Sequence, residues 1–245
     1  MKDVKHNFLL AGYPKSGNTW CGYILCHLLG AKYVDLHKPH EPPTADPRVR
    51  QLTGWQNSTA GQLPIFAKTH SLPSDLKVLE DYPKRALIVR DPRDVAVSAY
   101  HYYQNVRHQQ GPDPSERRNN CCRAYVSFKG NLLAVAREWP EHTRAWLDVD
   151  GIAVIRYEDL LTDTVASIFR LADKLKIEVD VPAVEESVRH FTFESLSGGR
   201  IRGQTQNNSF FRKGVSGDYR NYFGPIDHCL FAGLLPRDLR KRFYG

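Results

Sequence analysis

Residues 8–20 read FLLAGYPKSGNTW: four apolar residues, a turn of small residues carrying Lys15, then the opening of an amphipathic helix. A strand that runs through such a turn into a helix aims backbone N–H groups and the positive helix end at one point. That point suits a phosphate. The triphosphate-binding loop G-x-x-x-x-G-K-[ST] carries its lysine directly after the second glycine. Here Gly12, Gly17 and Thr19 keep the spacing, but position 18 is Asn18 and the lysine has moved into the turn as Lys15. The segment predicts a phosphate ligand without predicting a β/γ-phosphate grip.

The rest of the chain alternates strand and helix. Short continuous apolar runs predict strands at 8–11, 65–68, 86–89 and 152–155, as in a parallel sheet covered on both faces. The first helix spans about 17–29, with Trp20, Ile24 and Leu28 on one stripe and Gly30 ending it. Asp91-Pro92 predicts a second helix, capped by the aspartate, running to about residue 105. Further helices are expected at 121–138, 162–176 and 181–190. Residues 37–64, 104–120 and 197–209 are expected to be irregular and to cover a site at the carboxyl ends of the strands. With no linker and no internal repeat, the expectation is one α/β domain over residues 1–245: a central parallel sheet flanked by helices, with a P-loop-like strand–turn–helix.

Composition narrows the function classes. At 245 residues with 41% hydrophobic content, the chain has material for a sizeable core. No apolar run approaches the ~20 residues of a membrane span, and the N-terminus lacks a signal-peptide pattern, so cytoplasm is expected. Cys21, Cys26, Cys121, Cys122 and Cys229 have no zinc spacing and are expected to be free thiols; no metal is expected. The net charge of +7 suits an anionic ligand. Between Arg200 and Arg220 lie five basic residues and one acid, Asp218. Without a continuous basic stripe, nucleic acid is not expected as a partner.

Two further segments matter: RDPRDVAVS (residues 90–98) and RKGVSGDYRNYF (residues 212–223). Together with YPKSGNTW they resemble, in order, the three cofactor-binding segments of the cytosolic sulfotransferases that use 3′-phosphoadenosine 5′-phosphosulfate (PAPS). The resemblance implies that Lys15, Ser16, Gly17, Asn18 and Thr19 surround the 5′-phosphate, with Lys15 on the oxygen bridging phosphorus and sulfur. It implies that Arg90, Ser98, Arg212, Lys213 and Gly214 hold the 3′-phosphate, and that Ser98 tethers Lys15 until both substrates are present. Trp20 and Phe193 match positions that sandwich the adenine, and Tyr157 a tyrosine near it. Phe191 stands where the family often has a threonine. Tyr219 and Arg220 stand for a more usual tryptophan and lysine.

Between the first two segments lies FAKTH, residues 66–70. Lys68 and His70 alternate onto one side of a strand end. By resemblance His70 is the general base, a task suited to an imidazole with an ordinary pKa near ~6.5, and Lys68 meets the sulfuryl oxygens. The implied reaction moves a sulfuryl group to a hydroxyl, or an amine, of a small organic acceptor. The product nucleotide is adenosine 3′,5′-bisphosphate (PAP). Tyr100, Tyr102 and Tyr103 are candidates to line an aromatic acceptor pocket. The family's dimerisation motif is not matched after the third segment, where only Arg220 keeps the basic position. Two alternatives stand beside this reading: a P-loop-like small-molecule kinase using ATP and Mg²⁺, and a non-enzymatic basic nucleotide-binding module.

Overall fold

The computed structural model describes residues 7–55, 63–110, 127–206 and 209–244. In chain order its regular elements are β1 (Phe8–Ala11), α1 (Asn18–Leu28), β2 (Lys32–Asp35), α2 (Pro47–Leu52), β3 (Ile65–Thr69), β4 (Lys84–Val89), α3 (Pro92–Gln110) and α4 (Phe128–Leu147), followed by β5 (Ala153–Arg156), α5 (Tyr157–Thr162), α6 (Thr164–Lys174), α7 (Val181–His190), α8 (Phe193–Ser197), α9 (Pro225–Leu234) and α10 (Arg237–Tyr244). Contacts divide the chain into two units, Met1–Val89 with Thr143–Thr192, and Arg90–His142 with Phe193–Gly245.

The first unit holds a five-stranded parallel sheet in the order β2-β3-β1-β4-β5. Phe8 lies opposite Phe66 on one side and Lys84 on the other. All four residues of β1 are fully buried, which is why FLLA carries no alternation. Phe8 and Phe66 stack at 5.0 Å, and Phe66 stacks on Tyr33 at 5.8 Å. The strand β2 lies outside the expected set. KYVD is polar at both ends because β2 is an edge strand, and only Tyr33 is buried. The strand β4 begins two residues early, on charged side chains whose heads find carbonyls: Lys84 reaches those of Leu175 and Lys176, and Arg85 those of Tyr82 and Leu79.

In α6 and α7 the capping aspartates do what their chemistry allows. Asp163 accepts the N–H of Ala166 and Asp180 that of Ala183, each satisfying an otherwise unpaired donor of the first turn. The helix α2 falls inside a stretch expected to be irregular. Its start carries a legible signal: Asp46 accepts the Arg48 N–H at 2.9 Å, and Pro47 opens the helix.

The second unit is helical. Asp91 accepts the N–H of Arg93 at 2.9 Å and so caps α3 as expected, though the helix runs on to Gln110. The helix α4 continues past residue 138, where the expected helix stopped, through Pro140 to Leu147. The first part of that expected helix (121–126), Cys121 and Cys122, and residues 56–62, 111–120 and 207–208 of the expected irregular stretches lie outside the described residues. Trp139 is buried against Phe243 and Tyr244 of α10. The expected free thiols hold for Cys21, Cys26 and Cys229. No helix among the described residues is long and apolar enough to cross a membrane.

Candidate active site

In the first unit the turn after β1 folds back on itself. Asn18 Nδ2 donates to the Gly12 carbonyl at 3.1 Å, so the residue at the triphosphate-lysine position braces the loop from inside. Lys15 has φ 68°, a left-handed conformation uncommon for a residue with a Cβ and concentrated at functional turns. Gly17 caps α1 at φ 99°, where a Cβ would stand 2.6 Å from the Tyr157 ring. Glycine is required there twice over. Ser16 is fully buried, and its hydroxyl has no partner among the described residues, as expected of a donor kept for a ligand. Thr19 lies in the first turn of α1.

The aromatic positions are partly used by the fold. Trp20 donates its indole N–H to the Phe191 carbonyl at 2.8 Å, and Tyr157 meets Trp20 edge-on at 6.0 Å. The Phe191 side chain is fully buried against Tyr23 and His27, so the residue in place of threonine is a core residue whose carbonyl fixes Trp20.

His70 follows β3. Its Nδ1 lies 2.7 Å from the Gly12 carbonyl. A carbonyl can only accept, so Nδ1 carries the hydrogen and Nε2 of the neutral ring holds the free lone pair. The same carbonyl therefore ties the imidazole and the phosphate loop together. Burial pushes the His70 pKa down, the nearby Lys68 cation lowers it further, and together they bring it to about 3. The ring is neutral at physiological pH. Lys68 pairs with Asp35 at 2.6 Å. Burial pushes the Asp35 carboxyl up, but the Lys68 cation more than offsets this and holds it below the ordinary carboxylate range.

The depressed His70 pKa sets a sign for stability. Below the ordinary histidine value of 6.5, the unfolded chain takes up a proton that the folded chain refuses, so stability present above pH 6.5 is lost as pH falls toward 3. The maximum slope for one such group is about 1.4 kcal/mol per pH unit. Urea unfolding from pH 8 to 4 should show a steeper decline for the wild type than for His70→Gln. Parallel curves would contradict the depressed value.

In the second unit Arg90 is buried and donates to the Val215 carbonyl at 3.0 Å. Arg212 and Lys213 both pair with Asp218, which also accepts from Asn221. Burial pushes the Asp218 carboxyl up; hydrogen bonds from Lys213, Arg212 and Asn221 outweigh it and leave the pKa at about 2. Gly214 has φ 65°, and a Cβ there would collide with the Phe193 ring. Ser98 lies half-buried on α3. Tyr219 is buried between the guanidinium of Arg93 at 4.1 Å and that of Arg220 at 5.0 Å, a use that an aromatic ring of either kind serves.

Two supporting residues lie outside the set read from the sequence. Asp94 accepts the N–H groups of Gly217 and Tyr219 at 2.6 and 2.9 Å, pinning the turn of the third segment. Arg200 donates to the carbonyls of Phe211 and Arg212, ordering the chain just ahead of the paired cations. Their only sequence signal is a carboxylate one turn into a capped helix and an arginine among glycines.

A family model described as "Sulfotransferase domain" matches residues 5–229. The chain belongs to the sulfotransferase family. Sulfotransferase 2A2 of Rattus norvegicus is 27% identical over 235 residues, covering 89% of this chain and 78% of the relative. Two solved structures share the architecture at a TM-score of 0.66. Mouse sulfotransferase SULT7A1, complexed with PAP, is 22% identical over 94% of this chain and 83% of its own. Retinol dehydratase, in complex with androsterone and inactive cofactor PAP, is 19% identical over 98% and 82%. Among the described residues of this sulfotransferase, no group of His, Cys, Asp and Glu is placed to hold a metal ion.

Proposed function

We propose that this sulfotransferase moves a sulfuryl group from PAPS to a hydroxyl of a small organic acceptor, with His70 as general base. The observation that carries the reading is the shared Gly12 carbonyl: it orients His70 so that Nε2 is the basic nitrogen, and fixes that ring against the phosphate loop. PAPS, when bound, supplies the sulfuryl group and a bisphosphate leaving group, PAP, the nucleotide in the solved relatives above.

The chain's own residues divide the work. In the first unit, Ser16 donates its partnerless hydroxyl to the 5′-phosphate, with the N–H groups of residues 16–19 and the Lys15 cation beside it. Thr19 contributes its backbone N–H and its hydroxyl. His70 Nε2 takes the acceptor proton, and the approach of an anionic ligand raises the affinity of that nitrogen for it. Lys68, steadied by Asp35, faces the transferred group. Fixed cations of this kind stabilise charge where it develops. In the second unit, Arg90, Ser98, Arg212, Lys213 and the Gly214 amide are assigned to the 3′-phosphate and Phe193 to the adenine; in the first unit, Trp20 is assigned to the adenine. Tyr157, wedged beneath Gly17, supports the loop. A hydroxyl acceptor is favoured over an amine, since androsterone, the small molecule bound in the retinol dehydratase structure above, is an alcohol.

The kinase alternative is disfavoured by Asn18, whose side chain is committed to the Gly12 carbonyl where a triphosphate lysine would be needed. A thermal-shift panel tests the reading. PAP at a hundred times its dissociation constant should raise the melting temperature by about 5 °C or more. ATP with Mg²⁺, and a single-stranded oligonucleotide, should do much less. A largest shift with either of those would replace this reading with the kinase or the binding module.

A further inference from the structure

The end of β2 and the first residue of the stretch expected to cover the site touch both residues assigned to the chemistry. The register of β2 and β3 sets Asp35 opposite Lys68. Asp35 Oδ2 meets Lys68 Nζ at 2.6 Å, while its Oδ1 accepts the His37 N–H at 3.1 Å. The Leu36 N–H donates to the Lys68 carbonyl at 2.9 Å. His37 then turns back over the strand end: its Nε2 accepts the backbone N–H of His70 at 3.0 Å, and the two rings stack at 5.6 Å, 24° from parallel.

We infer that residues Asp35–His37 form a brace that positions the base, with His37 as the residue that sets the ring plane of His70. The inference rests on the reading of His70 as the base and deepens it. His70 is held at three places. The Gly12 carbonyl takes its Nδ1–H, His37 takes its main-chain N–H, and the His37 ring limits its rotation. Without His37, the main-chain donor loses its partner and the ring loses its stacking surface, so the Nδ1–H···Gly12 geometry loosens. The sensitivity of proton transfer to placement is steep: a displacement of about 1 Å can cost ~10²-fold in rate. His37 touches no reacting atom and is a positioning residue.

The test uses protein labelled with ¹⁵N in its histidine rings and saturated with PAP. In the wild type, His70 should give the shifts of an Nδ1–H imidazole. His37→Ala should convert these to a tautomer average, and His37→Gln, whose amide oxygen reaches the same N–H, should restore them. PAP affinity should change by less than about twofold in both. An unaltered His70 spectrum in His37→Ala, or equal loss in both variants, would overturn the inference. The base assignment fails separately, through undiminished sulfuryl transfer by His70→Ala, and that result would leave the spectral outcome standing.

Discussion

Replacing His70 with alanine is expected to lower turnover by about 10²-fold or more, with PAP affinity almost unchanged. The imbalance follows from the geometry. The hydrogen bond that His70 makes to the protein uses Nδ1, and its partner, the Gly12 carbonyl, keeps the brace from Asn18 when the imidazole is gone. The phosphate loop therefore survives the substitution, while the nitrogen that takes the proton does not. Initial rates at saturating PAPS, paired with calorimetric titration of PAP, separate the two effects. Loss of PAP binding equal to the loss of turnover would make His70 part of the nucleotide site instead. Turnover like the wild type would end its role as base.

Replacing Arg212 with alanine is expected to weaken PAP by about 10- to 100-fold and 5′-AMP by less than about threefold. A charge-assisted hydrogen bond contributes roughly 1.5–3 kcal/mol, and only PAP carries the group that Arg212 would meet. The arginine is held by Asp218 and aligned against Tyr222, so its guanidinium is placed before any ligand arrives. Arg212→Lys should recover little, since one ammonium cannot both pair with Asp218 and present a second parallel donor. Equal losses for PAP and 5′-AMP would remove Arg212 from the 3′-phosphate.

Much of this fold was legible because its signals are local. FLLA before a small-residue turn gives a buried strand and a phosphate loop, and Asp91-Pro92 gives a capped helix. Residues 181–190 form a helix with the expected ends. What escaped was set by partners distant in the chain. The edge strand β2 hides because one side of KYVD is half open to water, so the apolar run that marks the inner strands is absent. The candidate site divides the same way. Lys15, Ser16, His70, Arg90 and Arg212 stand out within short motifs. Asp35, His37, Asp94 and Arg200 act through contacts made only once strands pair and loops fold back. Nothing in the four residues DLHK reveals that a histidine 33 residues on from His37, just past a strand, has an N–H that needs an acceptor.

The most direct test of the central claim follows the label. Incubated with [³⁵S]PAPS and a panel of phenols, alkanols, sterols and amines, the enzyme should move ³⁵S into at least one hydroxyl acceptor and release one PAP for each ester formed. The chemistry proposed here is contradicted if label stays in PAPS across every hydroxyl acceptor while [γ-³²P]ATP with Mg²⁺ labels a member of the same panel.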